Sequence, residues 1–124
     1  MTGTLRPVSW DVFIFAAPTT VTTVDEIPPD FDPPPHGAAA EVRRRLRAAF
    51  PALDLTDPAW GHLSDAGWSI DLNIGPDDPV HAITLHVRGG GETLMPAIAG
   101  IAASVGGRAL DVATGEFLTG APRR

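Results

Sequence analysis

The sequence lacks cysteine, lysine and tyrosine altogether. Because there are no thiols, disulfide bridges, thiolate metal sites and cysteine nucleophiles are excluded. The lack of lysine excludes Schiff-base chemistry and a P-loop lysine, and the lack of tyrosine excludes a tyrosine general acid. All nine basic residues are therefore arginines. These absences remove several catalytic classes before any sequence pattern is considered.

Long apolar runs are also missing, because no stretch approaches the ~18 residues that identify a membrane span. The apolar residues 12–17 form too short a run for the hydrophobic region of a signal peptide, and they predict a buried strand instead. We therefore expect a cytoplasmic protein that does not contact a membrane. With 44% hydrophobic and 19% charged residues, residues 1–124 are typical of a single globular domain.

Positive charge is scarce, and the net charge is −6. This balance argues against a nucleic-acid partner, because neutralising phosphates requires a basic surface. It is compatible with a solvated acidic surface or with a basic protein partner. The composition indicates no cofactor, and it leaves a monomer and a homodimer both open.

Alternating apolar and polar residues indicate the strands of the chain. Residues 68–74 and 83–88 alternate with period two on either side of a Gly/Pro/Asp turn, which predicts an antiparallel hairpin. Residues 10–15 are apolar on both faces, and they predict a central strand. Residues 108–112 predict the last strand, after which a turn leads into residues 116–118.

Helical spacing of apolar residues appears twice, in residues 37–50 and 94–105, with Thr93 as the expected N-cap of the second helix. Residues 54–67 are interpreted as a loop with a short turn at 57–60. The order strand, helix, strand, strand, helix, strand predicts an α+β fold of the ferredoxin-like βαββαβ type. Such a fold has a four-stranded antiparallel sheet with two helices on one face.

An apolar patch on the first strand needs a covering element. Either Phe13 and Phe15 or, on the opposite face of the strand, Trp10, Val12 and Ile14 must lie on the side of the sheet that the helices do not cover. Residues 19–35 are rich in proline and predict an extended segment, because proline fits neither a helix interior nor a central strand. We expect the candidate apolar patch of Phe13, Phe15 and Phe31 to be covered by this segment, by a second subunit or by a partner.

The polar face of the sheet is the first candidate site. In the predicted topology its residues approach Asp11 or Phe13, and a histidine near two carboxylates could act as a general base while an arginine holds an anion. The alternative is a solvated face with cross-strand ion pairs, each worth under ~1 kcal/mol. The candidate binding residues are Asp71, Asn73, Thr84, His86 and Arg88, with Asp111 joining from the other side.

Three further features have a functional and a structural interpretation. The glycine-rich residues 88–93 before the second helix could bind an anion, but they match no phosphate-binding fingerprint and are also explained as a flexible turn. The arginine-rich residues 43–47 could contact an acidic partner or form a solvated helix face. No metal site is expected, because the four histidines have no ligand-like spacing: His36, His62, His81 and His86.

Several motifs resemble those of a group of small uncharacterised bacterial proteins that are common in actinobacteria. The motifs are Trp-Asp-Val at 10–12, Asp-Pro-Ala-Trp-Gly at 57–61, His-Val-Arg-Gly-Gly-Gly at 86–91 and Ala-Leu-Asp-Val-Ala-Thr-Gly-Glu-Phe at 109–117. The resemblance implies a stand-alone domain and no particular reaction, since no activity is assigned to the group. In size and acidic charge the chain is also similar to the immunity proteins of bacterial toxin systems.

Two functions remain as expectations. The first is a small acidic binding protein without catalytic activity, which acts on a protein partner and is an immunity protein in one version of this hypothesis. The alternative is a dimeric ferredoxin-like protein that binds a small molecule or acts as a cofactor-free enzyme. In that alternative His86, Asp71 and Arg88 form the site on the polar sheet face.

Overall fold

A computed structural model describes residues 9–118 of the chain. In this part, two α-helices accompany one six-stranded sheet in which every strand pairing is antiparallel. The strands are β1 (Ser9–Phe15), β2 (Trp60–Asp65), β3 (Trp68–Asn73), β4 (Ala82–Gly89), β5 (Arg108–Asp111) and β6 (Glu116–Phe117). The helices are α1 (Ala39–Ala49) and α2 (Leu94–Ser104), and a 3₁₀ turn occupies Val24–Glu26. Within residues 9–118, no helix has both the length and the apolar character of a membrane span.

The strands lie in the order β2-β3-β4-β1-β5-β6 across the sheet. Because all pairings are antiparallel, β1 and β3 are parallel with β4 between them, and β4 and β5 are parallel with β1 between them. The α+β class is confirmed, as is the hairpin of residues 68–88, in which β3 pairs with β4. The predicted four-stranded sheet is wrong, because β2 and β6 add one strand at each edge.

Strand β2 lies in the segment that the sequence pattern indicated to be a loop, residues 54–67. Its buried positions are Gly61 and Leu63, so its core face carries only one large apolar side chain. Gly61 has to be small, because a Cβ there would lie 2.9 Å from a methyl group of Leu55 and 3.4 Å from one of Leu53. Buried and exposed residues alternate in β2, but the buried positions are too weakly hydrophobic for the segment to be recognised as a strand.

Both helices pack on one face of the sheet. Val42 and Leu46 of α1 are fully buried together with Ile98 and Ile101 of α2, and each such side chain contributes about 1.5–3 kcal/mol through burial. They form one cluster with the inward side chains of three strands, namely Val12, Ile14, Ile70, Leu72, Ile83, Leu85 and Val87. The first helix starts later than predicted, at Ala39, after a bridge between Gly37 and Val80.

The opposite face of the sheet is covered over only part of its width. Val21, Ile27 and Phe31 of the proline-rich segment pack in one cluster with Phe13 and Phe15. Of the three coverings considered for the candidate apolar patch, the structure therefore has the one provided by the chain itself. Phe15 is buried, and Phe13 and Phe31 are half-buried. The other half of this face, on β2, β3 and β4, carries polar side chains and remains accessible to solvent.

Thr93 precedes α2 as expected, but its side chain makes no capping hydrogen bond to the helix. Its Oγ1 instead accepts a hydrogen bond from Nε1 of the buried Trp68, at 2.8 Å. A buried indole N–H requires an acceptor, and no apolar neighbour could supply one. Through this hydrogen bond Thr93 links the start of α2 to β3. Its side chain has this role instead of capping the helix.

Candidate functional site

Four polar side chains form a straight row across four neighbouring strands. His62 of β2 lies opposite Asp71 of β3, Asp71 lies opposite His86 of β4, and His86 lies opposite Asp11 of β1. Directly opposed residues of antiparallel strands point to the same face and approach each other closely. The row therefore alternates between histidine and aspartate on the accessible half of the sheet.

Each histidine of the row bonds to an aspartate through the same ring atom. Nδ1 of His86 donates to Oδ1 of Asp11 at 2.9 Å, and Nδ1 of His62 donates to Oδ1 of Asp71 at 2.6 Å. A carboxylate at Nδ1 orients the imidazole and leaves Nε2 as the free position. Within residues 9–118, neither Nε2 atom has a hydrogen-bond partner. Both Nε2 atoms are therefore available for a hydrogen bond to a bound molecule.

Two further rows flank these dyads. Trp60, Asn73, Thr84 and Phe13 face one another on one side, and Ser64, Ser69, Arg88 and Ser9 do so on the other. Nη1 of Arg88 lies 3.9 Å from Oδ2 of Asp71, which makes a loose ion pair. We call the accessible residues of the three rows the open face: Ser9, Asp11, Trp60, His62, Ser64, Ser69, Asp71, Asn73, Thr84, His86 and Arg88.

Trp60 is the large apolar side chain of the open face, and 41% of its surface is exposed. Its ring stacks on that of His86, with centroids 5.7 Å apart and planes inclined by 28°. A shallow cavity of about 160 Å³ beside it is lined by Asp54, Asp57, Trp60, Gly61, His62 and Asp71. An exposed indole next to three carboxylates suits a cationic group better than an anion.

Asp54 stays ionised at this cavity. The Oγ1–H and the backbone N–H of Thr56 both donate to its Oδ1, at 2.6 and 2.9 Å, and these bonds lower the pKa of the carboxyl group from its usual value. The charges of His62 and Arg47 lower this pKa further. The neighbouring Asp57 accepts a hydrogen bond from the backbone N–H of Ala59 at 2.8 Å. Asp54 therefore keeps its negative charge at neutral pH.

The structure brings together most residues that the sequence singled out. Asp71, Asn73, Thr84, His86 and Arg88 share the open face with Asp11, as the topology predicted. Asp111 does not join them, because it lies opposite Val12, whose side chain points towards the helices. Its carboxylate accepts a hydrogen bond from the backbone N–H of Ala113 at 3.0 Å, within the turn that leads to β6.

Trp60 and His62 are the site residues that sequence reasoning missed. Both belong to β2, which the pattern indicated to be a loop. The signal was the polar or aromatic side chain at every second position, namely Trp60, His62 and Ser64. On the apolar side of this alternation, Gly61 stands where a strand usually has a large apolar residue. The pattern therefore did not indicate a strand.

In residues 9–118, the other candidate features form no arrangement that would bind a ligand. Residues 88–93 continue β4 up to Gly89, and the N–H of Gly90 donates to the carbonyl of Gly67 at 2.9 Å. In the arginine-rich part of α1, Arg44 and Arg45 bond to Glu41 and so form a solvated, paired face. Among residues 9–118, no group of three or more histidine and acidic side chains could hold a metal ion.

The open face thus presents two unpartnered imidazole nitrogens, and the exposed indole of Trp60 beside the carboxylates is suited to cationic groups. Comparisons of the chain with protein-family models, with curated proteins and with solved structures each returned no match. The chemistry of the open face is therefore the basis on which a function can be argued.

Proposed function

We propose that the chain is a non-catalytic binding protein whose open face binds a basic protein partner. One observation carries the proposal: the exposed indole of Trp60 stands among the carboxylates of Asp54, Asp57 and Asp71 on an otherwise polar, accessible sheet face. The central residues of stable protein interfaces are often tryptophans with a polar surround.

Charge supports a basic partner. The row contributes Asp11 and Asp71, the adjacent cavity adds Asp54 and Asp57, and Arg88 is the arginine among the open-face residues. The whole chain carries a net charge of −6. An acidic face on an acidic protein attracts a basic surface and accelerates its association.

The edges of the sheet favour binding through the face. On the outer side of β2, the backbone groups of His62 pair with those of Asp54, at 2.9 and 3.0 Å. On the outer side of β6, Glu116 bridges to Thr23. Edge strands whose backbone groups are partly paired offer little to an added strand. A partner therefore contacts side chains of the open face rather than extending the sheet.

A ferredoxin-like unit extended at both edges is the fold that we infer beneath this face. Its support is that β1, α1, β3, β4, α2 and β5 occur in this order along the chain, with β2 inserted between α1 and β3, and that β4 and β1 each separate two parallel strands. Within the proposed function, a toxin-immunity role is the specific version that we favour, because the chain is small and acidic. A toxin gene directly upstream in the genome would support it, and a neighbourhood without one would contradict it.

Removing two carboxylates from the row tests the binding proposal. We expect the double variant Asp11→Asn, Asp71→Asn to weaken the complex with the partner at least about tenfold, because two charges facing a basic surface are lost. The chain is used to capture proteins from its native organism, and the dissociation constant of each purified candidate is then measured by calorimetry at two salt concentrations.

The matched control is the double variant Asp25→Asn, Asp77→Asn, which loses the same charge at two exposed positions outside the open face. It should bind as the unaltered chain does. A partner whose affinity is unchanged by the row variant, or weakened equally by the control, would contradict the proposal. So would the failure of any basic protein to be retained.

A second candidate function is cofactor-free general-base catalysis, the enzymatic alternative for a ferredoxin-like dimer. The observation in its favour is the hydrogen bond from Nδ1 of His86 to Asp11, which leaves Nε2 free beside the exposed ring of Trp60. This is the arrangement in which a carboxylate orients a catalytic imidazole. Arg88 and Asp71 lie on the same face to orient a small substrate.

An activated ester tests this second candidate, since imidazole catalyses ester hydrolysis. If His86 is a general base that takes the proton of the attacking water, the chain hydrolyses ethyl dichloroacetate faster than free imidazole at equal histidine concentration, and His86→Ala abolishes the excess rate. The free energy of unfolding should stay unchanged, because His86 is partly exposed. His81→Ala is the control. A rate that does not exceed that of free imidazole would exclude this role.

A further inference from the structure

A second cavity, of about 500 Å³, lies at the start of α1. Three segments surround it: the first turns of α1, residues 58–59 before β2, and residues 75–78 after β3. Its lining includes Ala39, Arg43, Pro58, Ala59, Pro76 and Asp78. None of these residues belongs to the open face, so the cavity is a separate feature of the molecule.

Hydrogen bonds hold the walls of this cavity in place. The backbone N–H of Ala39 donates to Oδ1 of Asp78 at 3.0 Å. The carbonyl of Ala59 accepts from the N–H groups of Ile74 and Gly75, at 2.9 and 3.0 Å. These bonds tie α1 to residues 75–78 and tie those residues to the segment before β2. A cavity with such walls is largely preformed, which reduces the cost of binding a ligand.

Arg43 is the incompletely satisfied group of this cavity. Its Nη2 donates to the carbonyl of Leu55 at 2.7 Å, but its Nε is buried and has no hydrogen-bond partner. Among residues 9–118 it forms no ion pair, whereas Glu41 on the same helix pairs with Arg44 and Arg45. A partly buried guanidinium with an unused donor and no counter-ion lacks the anion that normally accompanies it.

Asp78 supplies the opposite charge in the same cavity. Its Oδ1 accepts the bond from Ala39, and within residues 9–118 it forms no ion pair. The remaining lining residues are alanine, proline and glycine. One cation and one anion on uncharged walls are complementary to a ligand that itself carries both charges.

We propose that this cavity binds a small zwitterion with one carboxylate and one ammonium group, the chemical class of the amino acids. The carboxylate lies at the guanidinium of Arg43 and the ammonium group at the carboxylate of Asp78. Because Nε of Arg43 is buried, the guanidinium has to shift towards the cavity for its Nε–H to donate to this carboxylate. This site does not depend on the function of the open face.

Calorimetry with three zwitterions of increasing charge separation tests the proposal: glycine, 4-aminobutyrate and 6-aminohexanoate. We expect at least one of them to bind with a Kd of about 1 mM or below, and at least about tenfold more tightly than butyrate or butylamine, which each lack one charge. Equal binding of butyrate, or no saturable binding of any zwitterion, would overturn the proposal.

Substitutions at the two charged residues locate the binding. Arg43→Gln and Asp78→Asn should each weaken the zwitterion at least about tenfold. Asn keeps an Oδ1 acceptor for the N–H of Ala39, so α1 retains its start. Arg47→Gln, at an exposed position of the same helix, is the control and should bind normally. If Arg43→Gln does not fold, Arg43→Lys keeps the charge but loses the planar fork and should still weaken binding. Unchanged affinity in the Arg43 and Asp78 variants would overturn the assignment.

Discussion

Gly89→Ala is expected to lower the free energy of unfolding by roughly 3–5 kcal/mol, through backbone strain and steric overlap together. Gly89 has a φ of +85°, a conformation that residues with a Cβ rarely adopt. The added Cβ would also overlap the carbonyl oxygen of Gly67 and lie 2.9 Å from Cα of Trp68. Both contacts are to backbone atoms, so no side chain can rotate away to relieve them.

Urea unfolding of the two variants Gly89→Ala and Gly90→Ala provides the measurement and its control. A Cβ at Gly90 would meet no atom within 4 Å, and its φ is not positive. The control should therefore stay within about 0.5 kcal/mol of the unaltered chain. If both variants were equally stable, Gly89 would not lie against the turn between β2 and β3.

His36→Ala is expected to cost roughly 2–4 kcal/mol, by leaving a cavity and removing the hydrogen bond that the buried imidazole donates to a backbone carbonyl. The ring is 7% exposed, with Nδ1 3.1 Å from the carbonyl oxygen of Val105 and Nε2 3.4 Å from that of Ile14. It therefore connects the end of the proline-rich segment to β1 and to the residue that follows α2. Gly107 leaves room for it, since a Cβ there would lie 2.8 Å from the imidazole.

The same unfolding experiment on His81→Ala separates this structural role from a general effect of losing a histidine. His81 is exposed, so its replacement should change stability by less than about 0.5 kcal/mol. A His36→Ala variant as stable as His81→Ala would mean that the buried imidazole contributes nothing to the connection between β1 and α2.

The helices and strands whose apolar residues recur at regular spacing were predictable from the sequence. Ile70 and Leu72 alternate with Asp71 and Asn73, and this pattern alone indicates which side of β3 is buried. β2 was not predictable, since Gly61 faces the core in place of a large apolar side chain. Its small size reflects Leu53 and Leu55, which pack there from outside the strand. The alternation within β2 alone does not show that Leu53 and Leu55, which lie just before the strand, fill the space beside Gly61.

The candidate site was predictable to the same extent. Asp71 and His86 were placed on one face because their strands were recognised, whereas Trp60 and His62 were lost with β2. Asp111 was assigned to the wrong face because the register of β5 against β1 cannot be inferred from composition. A register change of one residue moves a side chain to the other face of a sheet.

The partial cover of the sheet has a consequence for how this protein could diversify. The row that begins at Trp60 and passes Asn73 and Thr84 ends at Phe13, which packs in one cluster with Phe31. The proline-rich segment therefore borders the open face along one side. Because loops tolerate insertions better than strands do, changes at residues 28–30 and 32–34 could reshape the border of the open face while Phe31 keeps the apolar patch covered and the sheet stays the same. The border of the open face and the cover of the apolar patch would then depend on different residues of one segment.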